Sequence, residues 1–468
     1  MRTEPWTFSA TEIVENIRSR KLSAVEVLEN CLARISVTNP TVNALVTVSE
    51  DIARKQAKDI DNRISKGEEV GLLAGVPVGI KDVTATAGIR TTFGSTLFSN
   101  HIPGKDDIVV QRIKEADGVI IGKTNTPEFA TGGNTYNDVF GATRNPWNTA
   151  LSAGGSTGGG AAGLISGMFP IASGSDLGGS LRIPAAFCGV MGLRPTPGLV
   201  PSGPKNLPFD TLGVPGPMAR SPEDLEILLE VMAQPHHSEA HSPGRGYFSS
   251  KVQGAPRLNL AYIPDVAGIG VDKDVSESCL KGAGMLTKAG HTLTEVKLDL
   301  SEGRYAFSIL RGQWMVTKYF DLLDRLDELG PNLSSNIKDG LDLKPTDIAE
   351  AESIRARLWG KLVETLGAYD FILTPTLPIT PFPVEQNFPE TINGKKMESY
   401  FDWFAPTLVF SLFGLPAISV PSGLTKGGMP AGLQIVGPRF CEDLLIGLAA
   451  EVSRENPIGF PDISKNFD

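Results

Sequence analysis

The chain has 468 residues, a length that allows two or three ordinary domains or one large α/β enzyme. It carries 43 lysines and arginines against 53 aspartates and glutamates, a formal net charge of −10, with no long basic run. Binding to nucleic acid or to an anionic membrane surface is therefore not expected. The cysteines form no paired motif, which argues against a zinc site and indicates a reducing compartment; they are Cys31, Cys188, Cys279 and Cys441.

The N-terminal segment lacks the apolar core of a secretory signal peptide. No stretch of the sequence reaches the roughly 18 apolar residues that a membrane span requires. We therefore expect a soluble, cytoplasmic protein with no membrane partner.

Residues 1–70 are predicted to form a helical region. Two capping boxes are predicted to begin helices there. In a capping box, a serine and a glutamate three residues later satisfy free amides at the helix N-terminus. The pairs are Ser9 with Glu12 and Ser23 with Glu26. A strand and an amphipathic helix are predicted next, at residues 43–48 and 49–64.

From residue 71 onward, predicted strands alternate with helical segments. The apolar strands are at residues 76–80, 118–123, 258–263, 371–374 and 417–420, and a helix is predicted at 107–116. This alternation predicts an α/β fold, a single large domain with a mixed central β-sheet covered by α-helices on both faces. Residues 234–255 are polar and turn-rich, and we interpret them as a surface connection inside that domain.

The most informative segments are rich in glycine and serine and cover residues 152–163 and 174–184. Residues 158–163 match the GxGxxG dinucleotide fingerprint, but that motif requires a strand directly before it, and residues 145–153 have loop character. Glycines that merely allow close packing are a second interpretation. Packing alone does not explain why Gly-Gly directly precedes a serine in both segments.

Residues 154–158 also match the GxSxG nucleophile elbow. That motif belongs to hydrolases whose catalytic histidine comes last in the chain, after the serine and the acid. No histidine occurs after residue 291, and three of the five lie in the polar connection; they are His101, His236, His237, His241 and His291. A Ser-His-Asp hydrolase is therefore disfavoured.

Lys81 follows a short apolar strand. A lysine at such a position usually turns outward into water. If it is held inside instead, loss of hydration lowers its pKa, and the neutral amine can act as a base near pH 7. A hydrolase without a usable histidine needs a base of that kind.

Together these segments resemble the amidase signature family. The motifs that carry the resemblance are Gly75–Lys81 (GVPVGIK), Gly122–Ala130 (GKTNTPEFA), Gly141–Trp147 (GATRNPW), Gly154–Ala162 (GGSTGGGAA), Gly174–Gly189 (GSDLGGSLRIPAAFCG), Gly192–Pro197 (GLRPTP), Phe413–Pro421 (FGLPAISVP) and Met429–Gly437 (MPAGLQIVG). The resemblance covers most of the chain. It departs at Thr157 and Gly160, where serine or alanine is more common in the family. The resemblance divides the single domain, 1–468, into a helical region (1–70), the signature core (71–235) and a remainder that forms much of the substrate pocket (236–468).

The resemblance also implies a Ser-Ser-Lys relay that works through an acyl-enzyme and needs no metal or organic cofactor. Ser180 would be the nucleophile, Ser156 the bridging serine after a cis peptide bond, and Lys81 the base. The amides of Leu177, Gly178, Gly179 and Ser180 would form the oxyanion hole. Supporting roles fall to Asp176, Arg182 and Thr157, with a bidentate Asp176–Arg182 pair expected to stiffen the loop.

The implied function is hydrolysis of the C–N bond of a small acyl or aryl amide, with esters or carbamates as further substrates. The alternative is the glutaminase subunit of a tRNA-dependent amidotransferase. The expected partner is a small-molecule amide, and no nucleic-acid partner is expected. These expectations are compatible with a homodimer. Aromatic candidates for the pocket favour an uncharged amide over an acidic one; the pocket candidates are Gly132, Gly133, Tyr136, Trp314 and Trp403.

Overall fold

The computed structural model describes residues 4–203, 207–244 and 256–463. Within these ranges lie thirteen α-helices and one eleven-stranded sheet, whose strands we number β1 to β11 in chain order. The strands are β1 (Leu45–Val48), β2 (Pro77–Lys81), β3 (Val119–Thr124), β4 (Ile171–Asp176), β5 (Met191–Arg194), β6 (Val214–Ala219), β7 (Asn259–Tyr262), β8 (Thr292–Glu295), β9 (Phe371–Pro375), β10 (Ala417–Leu424) and β11 (Pro430–Val436). The helices are α1 (Ala10–Arg18), α2 (Ala24–Val42), α3 (Glu50–Ser65), α4 (Ile108–Glu115), α5 (Gly158–Ile165), α6 (Arg182–Cys188), α7 (Pro222–Met232), α8 (Lys273–Lys288), α9 (Gly303–Lys318), α10 (Pro331–Leu341), α11 (Pro345–Ala368), α12 (Ala405–Ser411) and α13 (Glu442–Glu455).

The strands follow the order β1-β3-β2-β4-β6-β5-β10-β11-β9-β7-β8 across the sheet. Strand β2 runs parallel to β3 and β4, and β7 runs parallel to β8 and β9. The remaining neighbours are antiparallel. The sheet is therefore mixed, as the sequence predicted.

Two groups of helices flank the sheet. Helices α5 and α6 contact each other and the central strands, and α7, α8 and α13 form a second contacting group over the same part of the sheet. The single large α/β domain with a helix-covered mixed sheet is confirmed. No helix in the described ranges is both long and apolar enough to cross a membrane.

Both predicted capping boxes are present at helix N-termini. The Ser9 hydroxyl accepts a hydrogen bond from the Glu12 amide at 3.0 Å, and Glu12 accepts one from the Ser9 amide at 2.8 Å. Ser23 and Glu26 repeat the arrangement at 3.1 and 2.8 Å. Each box satisfies amides that have no partner inside the helix, which fixes where α1 and α2 begin.

The parallel pairing of β2 and β4 builds the site. Lys81 is the last residue of β2 and Asp176 is the last residue of β4, so both lie at the same edge of the sheet. Helix α5 begins two residues after Ser156, and α6 begins two residues after Ser180. Two strand ends and two helix starts therefore meet at one place.

The glycines of α5 also have a packing role. A Cβ on Gly159 would overlap the backbone of Asn125, and one on Gly163 would overlap the ring of Phe169. Close packing therefore holds α5 against its neighbours, and the serine before it is held with it. The packing interpretation and the catalytic interpretation of this segment apply together.

Candidate active site

The Lys81 side chain lies fully buried at the centre of the site. Its Nζ atom donates hydrogen bonds to the hydroxyls of Ser156 at 2.7 Å, Thr157 at 3.0 Å and Ser175 at 3.1 Å. The lysine is therefore held inside and does not turn outward into water. It touches the predicted bridging serine directly.

Burial lowers the pKa of Lys81 to about 7, although the nearby negative charge of Asp176 acts in the opposite direction. A buried ammonium loses hydration that three hydroxyls do not fully replace, so the neutral amine is favoured. At neutral pH a large fraction of the lysine is unprotonated. It can then accept a proton from Ser156.

Ser156 and Ser180 both lie on the wall of one cavity. The Gly155–Ser156 peptide bond is cis, as the resemblance implied. The Thr157 amide donates to the Ser180 carbonyl at 3.1 Å, which joins the two serine segments. In the part of the chain that the structure describes, the Ser156 and Ser180 hydroxyls are not hydrogen-bonded to each other; catalytic hydrogen bonds often tighten only when substrate is bound.

The predicted oxyanion loop lies between β4 and α6. None of the amides of residues 177–180 donates to an acceptor among the described residues. Gly179 has a φ of +141°, and a Cβ there would overlap the Thr407 side chain. The Thr407 hydroxyl donates to the Gly178 carbonyl at 2.7 Å, which orients the loop from the other side. The free amides can therefore receive a developing negative charge.

Asp176 and Arg182 form a fully buried bidentate pair at 3.0 and 2.9 Å. Arg194 also contacts the Asp176 side chain at 3.3 Å and donates to its carbonyl at 2.7 Å. Burial by itself would raise the pKa of Asp176, but the two guanidinium groups and hydrogen bonds outweigh it and lower the pKa to about 2. Arg182 also donates to Gln434 and Ser411, both at 2.6 Å. These contacts brace the nucleophile loop against β11 and α12.

The cavity at the site has a volume of about 520 Å³. Of the pocket residues predicted from the sequence, Gly132 and Trp314 lie on its wall. Gly133, Tyr136 and Trp403 are not among the residues that line it. Trp403 is fully buried and stacks on Phe187, with ring centroids 5.6 Å apart.

Packing also describes the places of Gly133 and Tyr136. A Cβ on Gly133 would lie 2.7 Å from Trp403, so this glycine is in contact with the buried tryptophan. Tyr136 belongs to a short strand paired with residues 141–142 and does not line the cavity. The neighbour of Trp403, Phe404, is the side chain that reaches the cavity wall.

Helix α9 supplies one wall of the cavity, which carries Trp314, a pocket candidate from the sequence, and four further residues. The side chains at positions 307, 311, 314, 315 and 318 line the cavity, and their spacing places them on one helical face. They are Phe307, Arg311, Trp314, Met315 and Lys318. The sequence offered this helical stretch as a candidate pocket wall through Trp314, but it did not indicate which of the other side chains reach a site more than a hundred residues away.

None of the five histidines lines the cavity. His291 is buried elsewhere, where it pairs with Glu451 at 2.7 Å and accepts from the Leu258 amide at 3.1 Å. Among the described residues there is also no cluster of three or more histidine, cysteine, aspartate or glutamate side chains that could hold a metal ion. The site consists of serines, a lysine and backbone amides.

Comparisons with known proteins agree with this arrangement. Residues 26–446 match the Amidase family. The chain is 34% identical over 459 residues to an acylamidase of Rhodococcus erythropolis, covering 96% of this chain and 95% of that protein. It is 33% identical over 475 residues to a glutamyl-tRNA(Gln) amidotransferase subunit of Carboxydothermus hydrogenoformans, covering 95% of this chain and 96% of that protein.

Among solved structures, a bacterial aryl acylamidase of the amidase signature enzymes superimposes with a TM-score of 0.89 at 28% identity, covering 96% of each chain. The likeness extends over nearly the whole length in both sequence and fold. The chain belongs to the amidase signature family and is a hydrolase that acts on amide C–N bonds.

Proposed function

We propose that the protein hydrolyses small acyl or aryl amides through an acyl-enzyme on Ser180. The observation that carries the proposal is the 2.7 Å hydrogen bond between the buried Lys81 amine and Ser156, on the cavity wall that also carries Ser180. A lysine with a pKa of about 7 supplies the base. The serine between lysine and nucleophile supplies the path for the proton.

In the first half of the reaction, neutral Lys81 takes a proton from Ser156 while Ser156 takes one from Ser180. The Ser180 oxygen attacks the amide carbonyl and forms a tetrahedral oxyanion. The free amides of residues 177–180 donate to that oxyanion, and each such donor contributes about 3 kcal/mol to lowering the barrier. Ser156 then protonates the leaving nitrogen and recovers a proton from Lys81, the C–N bond breaks, and the amine departs with the lysine neutral again.

In the second half, a water molecule replaces the amine. The relay removes a proton from the water, the resulting hydroxide attacks the acyl-enzyme, and the carboxylic acid leaves as Ser180 regains its proton. We assign positioning roles to Asp176 and Arg182, which hold the loop between β4 and α6. Thr157 holds the Lys81 amine through the 3.0 Å hydrogen bond between them.

The shape and lining of the cavity support small amides as substrates. Its wall carries seven aromatic rings besides Trp314, those of Phe93, Phe98, Phe129, Phe307, Tyr319, Tyr400 and Phe404. Such a wall suits an aryl or alkyl group. The relatives described as an acylamidase and an aryl acylamidase support the same class.

The second candidate is the glutaminase subunit of an amidotransferase, which the 33% identity to the glutamyl-tRNA(Gln) amidotransferase protein favours. The two functions differ in what the isolated chain does. An acyl or aryl amidase releases nitroaniline from nitroanilides without a partner protein. Activity restricted to glutamine, and dependent on a partner protein, would replace the first proposal by the second.

The assignment of Ser180 is tested by replacement and by labelling. Ser180→Ala should abolish turnover, and a sulfonyl fluoride should add one adduct mass to the wild type and none to the variant. Ser173→Ala is the matched control, because this serine lies on the same wall and its hydroxyl has no hydrogen-bond partner among the described residues. Retained turnover in Ser180→Ala with an unchanged fold would refute the assignment.

A further inference from the structure

We propose that the substrate carries an anionic group, in the first place a carboxylate, and that Arg311 binds it inside the cavity. The inference rests on the proposed function and adds a charge requirement to the substrate class. It departs from the expectation of an uncharged amide, which was based on aromatic residues alone. Three features support it: the position of Arg311, its lack of a counter-charge, and the placement of the acidic groups of the cavity.

Arg311 lies close to the reacting centre along α9. One turn before it, Phe307 touches the oxyanion loop, since a Cβ on Gly178 would meet the end of the Phe307 ring at 3.0 Å. Four residues of α-helix correspond to about 6 Å along the axis. A group bound at Arg311 is therefore one short linker away from a carbonyl held at the loop.

Arg311 is buried without a negative partner. Only 6% of the residue is exposed, and its described hydrogen bonds go to two neutral acceptors, the side-chain oxygens of Asn336 and Tyr400. No carboxylate of the described residues lies within 4.0 Å of its guanidinium. The other two buried arginines of the site, Arg182 and Arg194, both contact Asp176.

An unpaired buried guanidinium is costly, because its hydration is lost and no opposite charge replaces it. The two described hydrogen bonds use two of its five N–H donors. A carboxylate fits the remaining fork of donors and would supply the missing charge. A guanidinium also stays charged at all physiological pH values.

Four acidic side chains line the cavity, at positions 107, 176, 210 and 321. Asp107 accepts a hydrogen bond from the Val109 amide at 3.0 Å, and Asp176 is paired with Arg182 and Arg194. Asp210 accepts hydrogen bonds from Trp314 Nε1 at 2.8 Å and from the amides of Leu212 and Gly213 at 2.7 and 3.1 Å. Asp321 is exposed, so water screens its charge. None of these four carboxylates forms a described ion pair with Arg311, so its positive charge is left for an anion bound in the cavity.

The test compares amides that differ only in charge. On the acyl side, the nitroanilide of succinic acid is compared with the nitroanilide of levulinic acid, in which a methyl ketone replaces the carboxylate. On the amine side, para-acetamidobenzoate is compared with para-acetamidoacetophenone. We expect the wild type to prefer the carboxylate in at least one pair, by roughly 10- to 100-fold in kcat/KM.

Two variants of Arg311 and two control variants assign that preference to this arginine. Arg311→Met should remove it while neutral amides are still turned over, and Arg311→Lys should retain part of it. Arg357→Met is the matched control, because it removes an arginine from the exposed face of α11, where it pairs with Glu302. Tyr400→Phe removes one neutral partner but no charge, so the preference should persist.

Binding is measured in parallel on Ser180→Ala, which does not turn over. Calorimetric titration with the same four amides should show the carboxylate preference, and the double variant with Arg311→Met should lose it. Equal binding and equal turnover within both pairs would overturn the inference. Failure of the wild type to hydrolyse any amide would instead contradict the proposed function, and the titration would still decide the role of Arg311.

Discussion

The titration of Lys81 gives the most direct test of the relay. The active form contains the neutral amine, so kcat/KM for an amide without titrating groups should rise with pH through about 7 and then level off. The sign follows from the direction of the shift. Burial disfavours the charged lysine, which moves its deprotonation from the alkaline range down to neutral pH.

The size of the effect follows from the same shift. With the ordinary pKa of 10.5, only about one lysine in 3,000 would be neutral at pH 7, whereas a pKa of about 7 leaves about half of them neutral. Burial therefore raises the fraction of active base by about three orders of magnitude. That factor corresponds to about 5 kcal/mol of lost ammonium stabilisation.

The assay is the initial rate of nitroaniline release at constant ionic strength, from about pH 5 to about pH 10. We expect log kcat/KM to rise with a slope of one below the midpoint and to be flat above about pH 8. Lys81→Met should show no such step and almost no activity. A maximum in mild acid, or a rise that continues beyond pH 9, would refute a buried neutral lysine as the base.

Two further replacements test the loop that presents the nucleophile. Gly179→Ala adds a Cβ that overlaps Thr407 at a φ of +141°, so the amides of the oxyanion loop should move and kcat should fall about 100-fold or more. Gly360→Ala is the control, because this glycine lies on α11 with open space around it, and the rate should stay unchanged. Arg182→Met leaves Asp176 without its bidentate partner in the interior, so the free energy of unfolding should fall by about 3–5 kcal/mol, measured by urea titration. An unchanged kcat in the first variant, or unchanged stability in the second, would contradict these roles.

Local signals in the sequence predicted local structure well. The capping boxes at Ser9 and Ser23 fix helix starts through contacts within four residues, so the pattern contains the whole interaction. The apolar strands at 76–80 and 118–123 were found within one residue of β2 and β3. Strand β4 was not predicted, because its glycine and serine residues lack the β-branched character that marks a strand.

Long-range packing decides which side chains line the pocket, and the sequence does not display that packing. Trp403 and Phe404 are adjacent and equally apolar in the sequence, yet one is stacked inside the core and the other reaches the cavity. Arg311 lies in a helix whose composition resembles that of any half-buried helix. Its unpaired charge becomes visible only when Asn336 and Tyr400 are known to be its neighbours.

The chain contains a second fully buried lysine, Lys123, and its comparison with Lys81 shows how much a lowered pKa says about a lysine's role. Lys123 is the penultimate residue of β3, it is fully buried as Lys81 is, and burial lowers its pKa to about 7 as well. In the parallel register of β2 and β3, Lys123 pairs with Ile80, and Lys81 pairs with Thr124.

Because side chains alternate along a strand, this one-residue offset sends the two lysines to opposite faces of the sheet. Lys123 donates to the Thr84 carbonyl and to the Thr86 hydroxyl at 2.9 Å and does not line the cavity. Lys81 donates to Ser156 on the cavity wall. With equal burial and equal pKa, Lys123 is a structural lysine on one face of the sheet and Lys81 is a candidate base on the other. Strand register and hydrogen-bond partner, not basicity, distinguish the two.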